Sequence, residues 1–144
     1  MTTDTLHDQV IDEVAARLAA LGEVVRSRYG MPSWLGIAIV LEVEDLEVAP
    51  GRDLPSLRLP VSVVVPVDET AADLEAELTA RRLEAEQTFW NVRKALRQVQ
   101  PGQSWRAADR SGALTIRLMR PDARHLAVVA RALMYFKVDH YADL

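Results

Sequence analysis

Cysteine is absent from all 144 residues, which removes disulfide frameworks, thiolate metal sites and cysteine nucleophiles at one stroke and fits a reducing compartment. Glycine is scarce, with six residues spread along the chain, so no loop of closely spaced glycines is available to cradle a phosphate. Histidine is rarer still. His7, His125 and His140 are the only three, and no two have the i,i+4 spacing of a helical metal site. They read as exposed, structural residues, and Asp139, His140 and Asp143 read as a solvated tail. Long apolar runs are missing too: the longest, Trp34 to Leu41, is far too short to span a bilayer. Met1 to Gln9 is polar, contains Asp4 and Asp8, and lacks both the basic start and the apolar run of a signal peptide. A soluble protein made in the cytoplasm, with no membrane partner, is the expected class. Neither Ser27 nor Ser104 has the glycine-flanked strand-to-helix turn that exposes a nucleophile. No catalytic residue, metal or cofactor is expected, and the chain does not read as an enzyme.

What is present points to architecture. Aspartate and glutamate outnumber lysine and arginine by 21 to 17, a formal charge of −4, which argues against broad binding along a phosphate backbone. Arg93, Lys94, Arg97 and Arg106 therefore read as solvated positions. Glu42, Glu44, Asp45 and Glu47 alternate along a strand end and its loop instead of converging as a catalytic pair. Hydrophobic residues make up 49% of the chain, enough for one core, so residues 1–144 are expected to form one domain.

Leu6, Val10, Ile11, Val14, Leu18, Leu21 and Val25 repeat at three- and four-residue steps and predict an amphipathic helix from about residue 5 to about residue 28. Period-two alternation then predicts a strand with Leu35, Ile37, Ile39, Leu41 and Val43 on one face. The linker from Asp45 to Ser56 is longer than a tight hairpin needs. A second strand places Leu57, Leu59, Val61, Val63, Val65 and Val67 together, opposite Pro60 and Pro66; prolines there mark an edge strand or one with interrupted pairing. A long helix follows, opened by Thr70 and Asp73 in a capping-box-like arrangement, with a break or bend expected near Gln87 and Thr88 and a stop at Pro101 and Gly102. Leu114, Ile116 and Leu118 predict a third strand. From Leu126 to Val138 every even-numbered position is apolar, while Arg131 and Lys137 fall on odd ones. That alternation predicts a terminal strand, although Ala127, Ala130, Ala132, Leu133 and Met134 favour a helix by propensity.

The expected fold is α+β: an antiparallel sheet of two hairpins with an N-terminal helix and a long middle helix packed on one face, in the order α-β-β-α-β-β. The other sheet face, with Gly36, Ala38, Val40, Val64, Leu133 and Tyr135, leaves a mild apolar patch of the kind a partner covers. Trp90 reads as core or helix–sheet contact. Trp34 at a strand start and Trp105 in a loop are aromatic anchors near loops, a type enriched at interfaces, although core packing is the commoner fate.

This order of elements resembles the tail terminator, or tail completion, proteins of long-tailed bacteriophages. The matching stretches are GIAIVLEVE, the loop to LPS, LRLPVSVVVPVDE, the helix from Thr70, ALTIRLM and ARALMYFKVDHY. The likeness spans nearly the whole chain in order and length of elements, without a signature motif, and Gln103 to Ser111 has no counterpart. The resemblance implies a virion protein at the head–tail junction. It would form a homo-oligomeric ring, commonly of six subunits, that caps the tail tube protein and offers a docking surface to a head-completion or connector protein, with DNA only as passing cargo. Since a ring needs two different complementary faces on each subunit, the expected contact elements are Leu46, Val48, Pro50, Arg52 and Leu54 in the long loop, Pro60 and Pro66 on the edge strand, and Trp34 and Trp105. The alternative resemblance is to small acidic dimeric chaperones of bacterial secretion systems, which hold an extended client segment on an apolar patch.

Overall fold

A computed structural model describes residues 6–27, 30–45, 47–49, 56–103 and 105–138. In chain order the elements are α1 (Leu6–Leu18), β1 (Glu23–Arg26), β2 (Ala38–Leu41), a 3-10 turn (Val43–Asp45), β3 (Glu47–Ala49), β4 (Ser56–Pro66), α2 (Leu74–Arg97), β5 (Trp105–Ser111), β6 (Thr115–Asp122) and β7 (His125–Val138). The class is α+β, and the strands join in one mixed sheet of seven.

At the centre of that sheet β4 and β7 run antiparallel from Ser56↔Lys137 to Pro66↔Ala127 without a slip. Each of the two long strands is flanked on its outer side by two short ones. β2 pairs with Val61 to Val64 of β4, and β3 pairs with Ser56 to Arg58. Along β7, β6 takes the first half and β5 the second. β1 adds to β2 in parallel.

The two prolines of β4 thus sit in a central strand, and the ladder accommodates them by interruption. In an antiparallel strand the N–H and C=O of one residue point the same way, and successive residues alternate. The Val67 amide donates to the Leu126 carbonyl, whereas the Pro60 carbonyl accepts from Glu42 N; odd positions therefore address β7 and even ones address β2 and β3. Pro60 falls in the gap between the β2 and β3 pairings, and Pro66 lies beyond the end of β2. Neither missing N–H breaks a rung.

Alternation also sorts the side chains. Leu57 through Val67 at odd positions of β4 and Val128 through Val138 at even positions of β7 are all buried on one face. Val10, Ile11, Val14 and Leu18 of α1, and Ala85, Phe89, Val92 and Leu96 of α2, cover that face. Full burial of each Val or Leu is worth about 1.5–3 kcal/mol. At the base of α2, Asp73 is the N-cap and its carboxylate accepts from Ala76 N at 3.0 Å; Thr70 bonds back to Asp68 instead.

Several expectations are corrected. The first helix ends at Leu18, and its foreseen second half is a turn followed by β1. Leu21 and Val25 match helical spacing by coincidence, while Gly22 lies where a Cβ would come within 2.9 Å of the Ile37 carbonyl oxygen. That close approach carries the chain alongside β2. The strand expected from residue 35 begins at Ala38, and Leu35 is 92% exposed. The parallel β1–β2 pair makes the sheet mixed, so it is not composed of two antiparallel hairpins. No break occurs near Gln87 and Thr88, since α2 is continuous over 24 residues. Trp105 begins a strand where a loop was expected. The terminal strand is found as expected, from His125 to Val138.

Because the α1–β1 turn needs the space at Gly22, Gly22→Ala is expected to destabilise the fold by about 1–3 kcal/mol, as an overpacked site does, measured by urea unfolding.

Candidate binding surface on the uncovered sheet face

The face of the sheet opposite the helices carries the odd positions of β7 and the even positions of β4. Its middle is apolar: Ala38, Val64, Ala127 and Val129 form a second buried cluster, with Val40 and Trp34 packed against it. The segment from Gly30 to Gly36 crosses this face and turns back Trp34 at φ 63°, the left-handed region that a bulky side chain enters at a cost of about 1–3 kcal/mol. Two attachments hold it there. The Glu23 carboxylate of β1 accepts from the Ser33 amide at 2.9 Å and from the Ser33 hydroxyl. The Trp34 ring stacks on His125 with centroids 4.4 Å apart and planes 4° from parallel.

Beside Trp34 lies an open concavity of about 540 Å³. Met31, Trp34, Val40 and Met119 give it apolar walls, and Glu42, Ser62 and Arg131 give it a polar floor. One Glu42 oxygen organises that floor, accepting from Ser62 Oγ at 2.7 Å and from Arg131 Nε at 2.8 Å. Ser62 is 5% exposed, so its hydroxyl depends on that carboxylate; Arg131 is half exposed and reaches water. The arrangement can hold an extended segment or a small amphipathic group.

Two carboxyls at the rim are held below their ordinary range. Glu23 is lowered first by the Ser33 hydroxyl and then by the Ser33 amide. Asp122 is lowered first by the Arg124 amide and then by His125, whose Nδ1 is 3.1 Å away. A depressed carboxyl contributes stability that is in place above its unfolded value and is lost as pH falls through its folded value.

Of the expected contact residues, Trp34 is on this face. Pro60 is buried within β4 and Pro66 is half-buried at its end. Val48 is in β3. Leu46, Pro50, Arg52 and Leu54 lie outside the described residues, as do Ser104, Asp139, His140 and Asp143. Trp105 is fully buried and therefore unavailable to a partner. Its indole N–H donates to Glu13 of α1, its ring meets Phe136 edge-on at 5.6 Å, and Arg17 lies over it at 4.9 Å. The roles of the neighbours on α2 also divide: Phe89 is core, whereas Trp90 is 44% exposed, with the Arg93 guanidinium 5.5 Å from its ring. Tyr135, expected in the apolar patch, lies near Arg58, 5.9 Å from its ring.

The Glu42–Ser62–Arg131 group was not foreseen. Alternation gives the face of each residue, but only the strand register brings the three together. Among the described residues no group of three or more His, Asp or Glu side chains could hold a metal ion. Among them, too, no helix is long and apolar enough to cross a membrane. Compared with known proteins, the chain matches no family model and no curated protein.

Removing the Glu42 acceptor is expected to cost more than removing its exposed donor. Glu42→Ala should lose about 1–3 kcal/mol by stranding the Ser62 hydroxyl, and Arg131→Ala less than about 1 kcal/mol; urea unfolding ranks the two. Acidification supplies a second check. The Trp34 indole N–H, assigned in NMR spectra with Trp34→Phe, is expected to show its carboxylate-linked transition below the ordinary Asp and Glu range. Glu23→Gln should diminish that transition, and a midpoint at or above the ordinary range would contradict the attachment.

Proposed function

We propose that the protein is a subunit of a ring that caps a phage tail tube and presents the surface on which the head docks. In this reading it is a structural virion protein, a hexamer in its working state. Its partners are the tail tube protein and a head-completion or connector protein, and DNA passes through without being held. The observation that carries the reading is the central position of the last strand. β7 lies between β4 and the β5–β6 pair, so a helix, a strand group, a long helix and closing strands build one sheet, an order that resembles the one expected of tail terminators. The two margins of that sheet, unlike one another and unpaired among the described residues, would supply the two different surfaces that a closed heterologous ring requires.

The secretion-chaperone alternative draws on the concavity of the uncovered face. It is the weaker reading, because Trp34 of the chain itself already lies over the apolar cluster that a client segment would need.

Light scattering coupled to size exclusion, with negative-stain microscopy in the presence of tail tubes, tests the proposal. A ring that forms with concentration or on tube ends is the expected outcome. A monodisperse monomer that ignores tubes would overturn it, and a stable dimer would favour the chaperone.

A further inference from the structure

β6 differs in exposure from β1, β2, β4 and β7. From Thr115 to Pro121 all of its residues are exposed, with Ile116 and Leu118 uncovered on the helix side and Met119 on the other. Among the described residues it pairs only with β7, and none of them occupies its second hydrogen-bonding side. Edge strands are commonly blunted by proline, charge or a bulge. In β6 the register shift and Pro121 fall after Met119, which leaves Thr115 to Met119 as an open template. Arg117 stands on the uncovered face with no partner among the described residues.

The opposite margin of the sheet is β1, which among the described residues pairs only with β2. On the uncovered face β6 carries Arg117 and β1 carries Glu23, while Arg26 of β1 is paired with Asp12 of α1.

Register relates the two. Following the rungs straight across the sheet, Arg117 is level with Val129, Val64, Ala38 and finally Glu23. Ile116 is level with Ala130, Val63, Ile39 and Val24 by the same path. β6 and β1 run in opposite directions, because antiparallel steps join β6 to β7, β7 to β4 and β4 to β2, and β1 is parallel to β2. A second copy placed beside the first would therefore continue the sheet antiparallel, with opposite charges on the same row and face.

We infer that β6 of one copy pairs with β1 of the next, head to tail, with Arg117 meeting Glu23 and Ile116 meeting Val24. This assigns the subunit contact of the ring and rests on the ring reading. The contact is heterologous, so each copy uses one margin for each neighbour and neither margin for itself.

Sedimentation velocity on the full chain tests it with Arg117→Glu, Glu23→Arg, the double variant, and Ile116→Lys, each checked for folding by circular dichroism. Each single variant is expected to raise the concentration needed for assembly at least tenfold. The double variant should assemble again, because charge is restored across the contact, and that recovery separates pairing from loss of the Glu23–Ser33 attachment. A one-to-one mixture of Arg117→Glu and Glu23→Arg should also assemble, since the exchanged margins fit one another alternately. Single variants that form rings like the wild type overturn this contact and leave the ring reading standing. So does a folded double variant that fails to recover. Sheet-extended filaments abolished by the single variants, with no ring on tube ends, support the contact and overturn the ring. A wild-type chain that stays monomeric with and without tubes overturns both.

Discussion

Everything in this molecule is arranged around the uninterrupted ladder between β4 and β7. Its register decides which side chains enter the core, because a slip of one residue would exchange the buried faces of both strands. It also decides where the short strands attach, two along each outer margin. The prolines of β4 are tolerated only because their missing donors point away from β7, toward places where the flanking ladder is broken. A single long pairing thus fixes the packing of the helices on one side and the composition of the uncovered surface on the other.

Much of this was legible in the residues. The alternation of Leu126 to Val138 overrode the helix propensity of its alanines, since burial of one strand face outweighs a few tenths of a kcal/mol per residue of intrinsic preference. The odd positions of β4 and the stripe of α2 were equally plain. β1 was hidden because a strand of four residues is too short to display a period, and Leu21 and Val25 happen to continue the stripe of α1. β5 was hidden for a different reason. Its residues, WRAADRS, do not alternate, and its extended state comes from the partner it finds in β7 across a shifted register. Of the candidate surface, only the apolar half could be read in advance, because faces are local properties and rows are not. Glu42 just past β2, Ser62 of β4 and Arg131 of β7 are far apart in sequence. Trp34 was recognised as an aromatic near a loop, but its stack on His125 needed the path of the whole segment from Gly30 to Gly36.

Trp105 shows how a polar tip becomes part of a core. Its ring is enclosed, yet the indole N–H finds the Glu13 carboxylate and the π-face lies under Arg17, so burial leaves no donor stranded. Arg17 in turn donates to the carbonyl of Gln98, just past α2, at 2.7 Å. Side chains from α1, β5 and β7 and the Gln98 carbonyl just past α2 thereby meet at one corner. The corner adds polar attachments to the apolar packing that already holds α1 on the sheet.

The ladder has one more consequence, which concerns the order of synthesis. β4 is made some 60 residues before the strand that completes it, and distant pairings of this kind slow folding because a long loop must close first. While a ribosome is still extending the chain through α2, a valine-rich strand waits with an open row of amides and carbonyls. Such a row can capture strands from other nascent chains. The arrival of residues 127–137 closes that window, so the step that completes the core also ends the period in which this protein is most prone to clump.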